Sequence, residues 1–99
     1  MLIITSSGYG QLSGLSADAP TYCLSKLTLN GVTMMLAKAL QTKGIVVNAI
    51  DPGWVKTDMG SGVAPRTPEQ GADTAIWLAT EAPLNLSGKL FHERREVSY

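Results

Sequence analysis

Two short aliphatic runs on either side of a long helix-forming stretch constrain the fold of this chain more than any other feature. Leu2-Ile3-Ile4 and residues 45–50 are apolar and nearly uncharged, which is typical of strands buried on both faces of a sheet. Between them, residues 21–43 repeat apolar side chains at helical spacing, after Pro20 at the start and before Gly44 at the end. This order predicts a strand, a helix and a second, parallel strand.

The second half of the chain is divided by turn and capping signals. Thr67-Pro68-Glu69-Gln70 is the pattern of a capping box and predicts a helix that continues to about Thr80. Residues 89–92 are predicted to form a third strand, and residues 93–99 a charged tail. The fold class is therefore α/β, with about three strands and two main helices.

Composition excludes several functional classes. Ninety-nine residues allow one domain, and eight basic against eight acidic side chains leave no net charge to attract nucleic acid or an anionic membrane. The lone Cys23 and lone His92 predict neither a disulfide nor a metal site, and a single cysteine is typical of the cytoplasm. No signal peptide or membrane span is predicted.

Tyr22 and Lys26 are candidates for acid-base chemistry because they stand four residues apart on the predicted long helix. Side chains at this spacing share one helix face, with Cβ atoms roughly 5–6 Å apart. A nearby ammonium group favours the ionised form of a tyrosine hydroxyl, which otherwise exchanges protons poorly at neutral pH. The spacing also arises by chance, so two unrelated helix residues are the alternative interpretation.

Ser7 follows the first predicted strand, and Pro52-Gly53 and Thr57 follow the second. Open parallel sheets bind ligands at the carboxyl ends of their strands. A serine hydroxyl there can bond a substrate oxygen, and glycine lets the backbone approach a ligand closely. Taken alone, Ser7 is more simply interpreted as an ordinary loop serine. The two strand ends together predict a binding site at one edge of the sheet.

Together these residues resemble the short-chain dehydrogenase/reductase family. The pattern of the family is a strand that ends in Ser-Ser, then Tyr-x-x-x-Lys, then Asn-x-x-x-Pro-Gly-x-x-x-Thr. The matching residues are Ser6-Ser7, Tyr22, Lys26, Asn48, Pro52-Gly53 and Thr57. Three linked motifs in the same order make the resemblance specific. Residues 52–59, 67–74 and 87–91 look like the carbonyl-reductase branch of the family.

The resemblance implies an oxidoreductase that reduces a small-molecule carbonyl, or oxidises an alcohol, with a nicotinamide cofactor. Tyr22 would be the general acid/base, Ser7 would hold the substrate oxygen, and Lys26 would bond the nicotinamide ribose. The residues that the resemblance assigns to cofactor binding are Tyr22, Lys26, Pro52, Gly53, Val55 and Thr57. NADP is the cofactor expected from the likeness to carbonyl reductases, and NAD is the alternative.

The resemblance covers only the second half of the family fold. It implies the C-terminal half of a Rossmann-like, doubly wound parallel sheet, a partial domain over residues 1–99. The Gly-rich turn that holds the pyrophosphate is missing, so the chain is expected to be a fragment that is inactive alone. The alternative is a truncated, non-catalytic member that acts as an interaction module through its long helix.

Other notable side chains are interpreted as structural. Cys23 is expected in the core rather than as a nucleophile, and His92 is expected to be solvated in the charged tail. Met34 and Met35 widen the apolar surface of the long helix, which favours pairing of residues 21–43 with a second copy of the chain, and a monomer is the alternative.

The loop after the second strand is the predicted substrate side of the site. Trp54 and Met59 are placed either to touch a substrate or to pack the loop. Residues 59–66 carry two glycines and a proline, which predicts a mobile lid.

Overall fold

The two aliphatic runs form neighbouring parallel strands in a computed structural model that describes residues 1–54 and 64–99. These are β1 (Leu2–Thr5) and β2 (Val47–Ile50), and their register pairs Leu2 with Val47 and Thr5 with Ile50. All four residues of β2 are buried, whereas β1 is only half-buried. The prediction of burial on both faces is therefore correct for β2 and wrong for β1, because β1 is the outer strand of the described sheet.

The long helix, α1 (Pro20–Leu40), begins at the predicted proline. A 3₁₀ turn over Gln41–Lys43 extends it to Gly44, whose φ of 70° is the left-handed conformation of a glycine C-cap. This end confirms the boundary predicted at Gly44. The buried positions of α1 are mostly small or polar, and they are Cys23, Asn30, Thr33 and Ala37.

The second helix, α2 (Pro68–Thr80), has the predicted capping box. The Thr67 hydroxyl accepts a hydrogen bond from Gln70 N, while the Gln70 side chain accepts one from Thr67 N. The predicted third strand is confirmed as β3 (Leu90–His92), and it lies parallel to β2 and pairs with it. The core between this helix and the sheet consists of Ile50, Leu78, Ala82 and Phe91, with Ile3, Ala75, Trp77 and Leu86 packed against it.

The prediction of a charged tail is wrong, because Arg95–Val97 forms a fourth strand, β4, antiparallel to β3. Glu93 and Arg94 make the connecting turn with φ values of 50° and 62°, a conformation that non-glycine residues seldom adopt. Arg94 is held in it by two guanidinium bonds to Asp73, both of 2.8 Å, and by a bond from its backbone N to Thr74. The same guanidinium holds the pKa of Asp73 below its ordinary value.

His92 is the last residue of β3 rather than part of a solvated tail. Its side chain is 35% exposed, and Nδ1 lies 2.9 Å from the backbone oxygen of Asp51. The expectation of a solvated histidine is therefore wrong, because β-sheet pairing places the ring beside the residue that follows β2.

A buried polar side chain ties β2 to the segment before β3. Asn48 is fully buried; its Nδ2 donates to the Leu86 carbonyl and its Oδ1 accepts from Lys89 N. Both ends of the amide are thus satisfied, as burial requires. Within residues 1–54 and 64–99, no helix is long and apolar enough to cross a membrane, and no group of three or more potential ligands could hold a metal ion.

Candidate active site

The two serines after β1 have different surroundings. Ser6 is buried, and its hydroxyl donates to Asn30 Oδ1 on α1 at 2.5 Å. Ser7 is the N-cap of the 3₁₀ turn Gly8–Gly10, and its hydroxyl accepts from Tyr9 N at 3.1 Å. A hydroxyl that accepts a bond retains its own proton for donation, so Ser7 is suited to hold a substrate oxygen.

Tyr22 and Lys26 meet on the first turns of α1. The Tyr22 side chain is 48% exposed, and Lys26 Nζ lies 5.6 Å from the centre of its ring. This contact is a cation–π interaction at the face of the ring. Tyr9 packs edge-on against the same ring, with centroids 5.9 Å apart. Two neighbours therefore restrict the orientation of the Tyr22 phenol.

Gly10 lets the turn that carries Ser7 and Tyr9 pack directly against α1. A Cβ at position 10 would lie 2.6 Å from the backbone carbon of Lys26 and 2.8 Å from the nitrogen of Leu27. Both atoms belong to the helix backbone, which cannot rotate out of the way. The glycine thus fixes the spacing between the end of β1 and the helix that carries Tyr22.

Asp51, Pro52 and Gly53 follow β2 at the same edge of the sheet. Gly53 has a φ of 75°, which favours glycine, and its N donates to Asp51 Oδ1 at 3.0 Å. A Cβ on Gly53 would lie 2.6 Å from Arg66 Cδ, so the turn packs tightly against that side chain. Val55, Thr57, Met59 and most of the predicted lid lie outside the described residues.

These segments enclose a cavity of about 650 Å³ at the carboxyl ends of β1 and β2. It is lined by Ser6, Ser7, Gly8, Tyr9, Gln11, Gly14, Tyr22, Asp51, Pro52, Gly53 and Trp54. Four of the sequence-predicted site residues, Ser7, Tyr22, Pro52 and Gly53, are thus brought together. Lys26 contacts Tyr22 without lining the cavity.

Sequence analysis missed three polar side chains of the cavity: Tyr9, Gln11 and Asp51. Asp51 carries the only formal charge among the described lining residues. Its position directly before Pro52-Gly53, at the end of a strand, was the one available signal. Tyr9 and Gln11 lie in a loop without periodicity, so only the folded structure shows that they reach the site.

A second cavity, of about 450 Å³, lies at the opposite end of β2. Its walls come from the C-terminal part of α1, from residues 44–46 and from residues 84, 87 and 88. Lys38 is the only ionisable side chain among its described lining residues. This cavity therefore lacks the paired groups that acid-base chemistry requires.

Comparisons with known proteins agree on one family. Residues 2–89 match the protein-family model described as enoyl-(acyl carrier protein) reductase. Carbonyl reductase [NADPH] 1 of Sus scrofa is 37% identical over 79 residues, which are 76% of this chain and 27% of that protein. Carbonyl reductase [NADPH] 3 of Rattus norvegicus is 44% identical over 66 residues, which are 63% of this chain and 24% of that protein.

Solved structures show the same architecture. An NADPH-bound carbonyl reductase from chicken fatty liver superposes on 98% of this chain and 42% of its own, with a TM-score of 0.86 and 27% identity. Carbonyl reductase Sniffer of D. melanogaster covers 89% of this chain and 36% of its own, with a TM-score of 0.78 and 29% identity. The chain spans about a quarter of the length of the two curated relatives.

Proposed function

We propose that this chain, which belongs to the short-chain dehydrogenase/reductase family, carries the catalytic residues of an NADPH-dependent carbonyl reductase. The observation that carries the proposal is one cavity lined by both Ser7 and Tyr22, with Lys26 against the Tyr22 ring. Two similar proteins are named NADPH carbonyl reductases, which supports a carbonyl substrate and NADP rather than NAD.

The cavity fits the nicotinamide end of the cofactor together with a small carbonyl compound. Its volume of about 650 Å³ is within the usual range of ligand sites. Its polar groups lie at two strand ends and include hydroxyls, the Gln11 amide and the Asp51 carboxylate. Pro52 and Gly53 are proposed to contact the nicotinamide, with Val55 and Thr57 extending that contact. When bound, the nicotinamide supplies the hydride that reduces the carbonyl carbon.

Tyr22 is proposed to donate a proton to the carbonyl oxygen, which gains negative charge as its carbon is reduced. Ser7 donates a hydrogen bond to the same oxygen, because its hydroxyl already accepts from Tyr9 N. Lys26 stabilises the phenolate that the proton transfer leaves on Tyr22 and is proposed to bond the nicotinamide ribose. In the oxidation of an alcohol the same groups act in reverse.

The test joins residues 1–99 to the nucleotide-binding half of a related carbonyl reductase and follows ketone-dependent NADPH oxidation. Tyr22→Phe should lower turnover by roughly 10²- to 10⁴-fold, the usual contribution of a general acid, with NADPH binding retained. Tyr9→Phe is the matched control, since it removes a second tyrosine hydroxyl from the same cavity and should leave turnover near the parent value. Near-normal turnover of Tyr22→Phe would refute the proposal.

Lys26→Met separates the two roles proposed for the lysine. It should lower turnover and also weaken NADPH binding, because the ammonium is proposed to serve both Tyr22 and the ribose. A lower rate with unchanged NADPH affinity would remove the ribose contact from the proposal.

Residues 1–99 alone are proposed to be inactive, because they match only about a quarter of the length of the curated relatives and the motifs that they match do not include a turn that binds the cofactor pyrophosphate. Trp54 lines the cavity, so bound NADPH should change its fluorescence. We expect no saturable change up to millimolar NADPH. Micromolar binding, or turnover that Tyr22→Phe abolishes, would contradict this expectation.

A second candidate function is an interaction module that forms a homodimer through α1. The observation that favours it is an exposed apolar stripe on this helix: Leu24 is 56% exposed, Val32 39% and Met35 71%. Val32 follows Leu24 by eight residues and Met35 follows Val32 by three, so all three lie on one side of the helix. Light scattering should show a dimer that Met35→Glu dissociates, and a monomeric mass at high concentration would refute pairing.

A further inference from the structure

We infer that the Asp51 carboxylate sets the charge specificity of the cavity, so that the site accepts neutral or cationic carbonyl compounds and rejects those that carry a carboxylate. The inference rests on the proposed function for the carbonyl class of the substrate. The charge effect itself depends on the position and contacts of Asp51 and on the size of the cavity.

Sheet pairing places the Asp51 side chain in the cavity wall. Asp51 N donates to the Phe91 carbonyl at 2.8 Å, which continues the pairing of β2 with β3. The carboxylate reaches towards the turn after β1, since a Cβ on Gly8 would lie 2.8 Å from Asp51 Oδ2. The Asp51 side chain is 19% exposed and lies beside Gly8, the residue that follows Ser7. It is therefore close to the hydroxyl proposed to bind the substrate oxygen.

The carboxylate has a polar neighbour at each oxygen. Its Oδ1 accepts from Gly53 N, and its Oδ2 lies 3.6 Å from His92 Nδ1. His92 Nδ1 donates to the Asp51 backbone oxygen at 2.9 Å. The nearby Arg66 guanidinium bonds Glu93 at 2.6 Å instead. Among the described residues that line the cavity, Asp51 therefore carries the only formal charge.

The size of the cavity makes this charge effective against any anionic ligand. A cavity of about 650 Å³ is about 10 Å across, so every atom of a bound ligand lies within about that distance of Asp51. Two negative charges about 10 Å apart, at an effective dielectric constant of about 20, repel enough to weaken binding roughly tenfold. A cation at the same place is stabilised by a similar factor.

Asp51 also shapes the turn, and the experiment has to separate that role from its charge. Asparagine has the same shape and can still accept a bond from Gly53 N, so Asp51→Asn removes the charge while keeping the turn. Asp51→Glu keeps the charge and alters the shape. Asp18→Asn is the matched control, since Asp18 is an exposed loop carboxylate outside the cavity lining.

The test measures binding of three ketones of one shape to the ¹⁵N-labelled chain: para-acetylbenzoate, para-acetylbenzamide and para-(aminomethyl)acetophenone. At about pH 8, the indole N–H shift of Trp54 reports binding, and that of Trp77 is the internal reference. The parent chain and Asp18→Asn should bind the benzoate roughly tenfold more weakly than the benzamide. Asp51→Asn should bring these two affinities within about twofold, and Asp51→Glu should keep them apart.

The inference is overturned if Asp51→Asn leaves the affinity ratio unchanged, if Asp18→Asn changes it equally, or if none of the ketones shifts Trp54. The result is independent of turnover. If the ratio of benzamide to benzoate affinity depends on Asp51 while Tyr22→Phe keeps normal turnover, the proposed function is refuted and this inference remains in place.

Discussion

Replacing Gly10 by alanine tests whether the turn after β1 is locked against α1. The new Cβ would lie 2.6, 2.7 and 2.8 Å from three backbone atoms of Lys26 and Leu27, whereas ordinary contacts are 3.4–4 Å. Because φ at Gly10 is not positive, the cost is steric rather than conformational. Shifts of this kind in packed regions cost roughly 1–3 kcal/mol.

Gly31→Ala is the matched control for the same chemical change. Gly31 lies within α1, and a Cβ there would meet nothing within 4 Å. Alanine is favoured over glycine inside a helix by about 1 kcal/mol, so this variant should be more stable than the parent.

Urea unfolding followed by circular dichroism measures both effects. With a slope of about 1–3 kcal/mol per molar urea, Gly10→Ala should lower the midpoint by roughly 1 M, and Gly31→Ala should raise it by a smaller amount. Equal stability of Gly10→Ala and the parent would show that the turn moves freely relative to α1. It would also remove the structural reason for a fixed distance between Ser7 and Tyr22.

Two further predictions concern the β3–β4 end of the sheet. Burial, with a smaller effect of Glu96, raises the pKa of Tyr99 to about 12, and its hydroxyl donates to the Gly88 carbonyl. The folded state therefore holds this proton more tightly than the unfolded state, where the pKa is about 10. The associated stability is complete below about pH 10 and is lost as pH rises through about 12. Unfolding midpoints across this range should fall less steeply for Tyr99→Phe, and identical profiles would contradict the assignment. His92 is the only histidine, and its Nδ1 faces a carbonyl oxygen that can only accept, so ¹⁵N shifts should show the proton of the neutral ring on Nδ1. A proton on Nε2 would refute the contact with Asp51.

The sequence predicted those parts of the fold that depend on local signals. Pro20, Gly44 and the capping box at Thr67 act within a few residues, and the structure confirms the helix boundaries that they predict. β4 was missed because its turn has Glu93 and Arg94 where glycine or asparagine is usual. The contacts that hold this turn come from α2, twenty or more residues earlier in the chain.

In the candidate site too, local signals in the sequence located some residues, and contacts between distant parts of the chain placed the others. Ser7 was found from its position after the first predicted strand, and Tyr22 from its four-residue spacing to Lys26. The structure brings Ser7 and Tyr22 to one cavity. Asp51 and Tyr9 reach that cavity through sheet pairing and through the close approach at Gly10, which no local pattern records. Similarly, His92 is oriented by a bond to a residue 41 positions earlier.

A double-mutant cycle of Ser7→Ala and Tyr22→Phe tests the central claim most directly, since both hydroxyls are proposed to act on one carbonyl oxygen. The cycle is measured as kcat/KM for ketone reduction after residues 1–99 are joined to the nucleotide-binding half of a relative. Ser6→Ala is the control, because Ser6 is engaged with Asn30 and should affect stability more than rate. We predict that the loss in the double variant is smaller than the product of the two single losses. Fully multiplicative losses would show that the two hydroxyls act independently and would contradict the account.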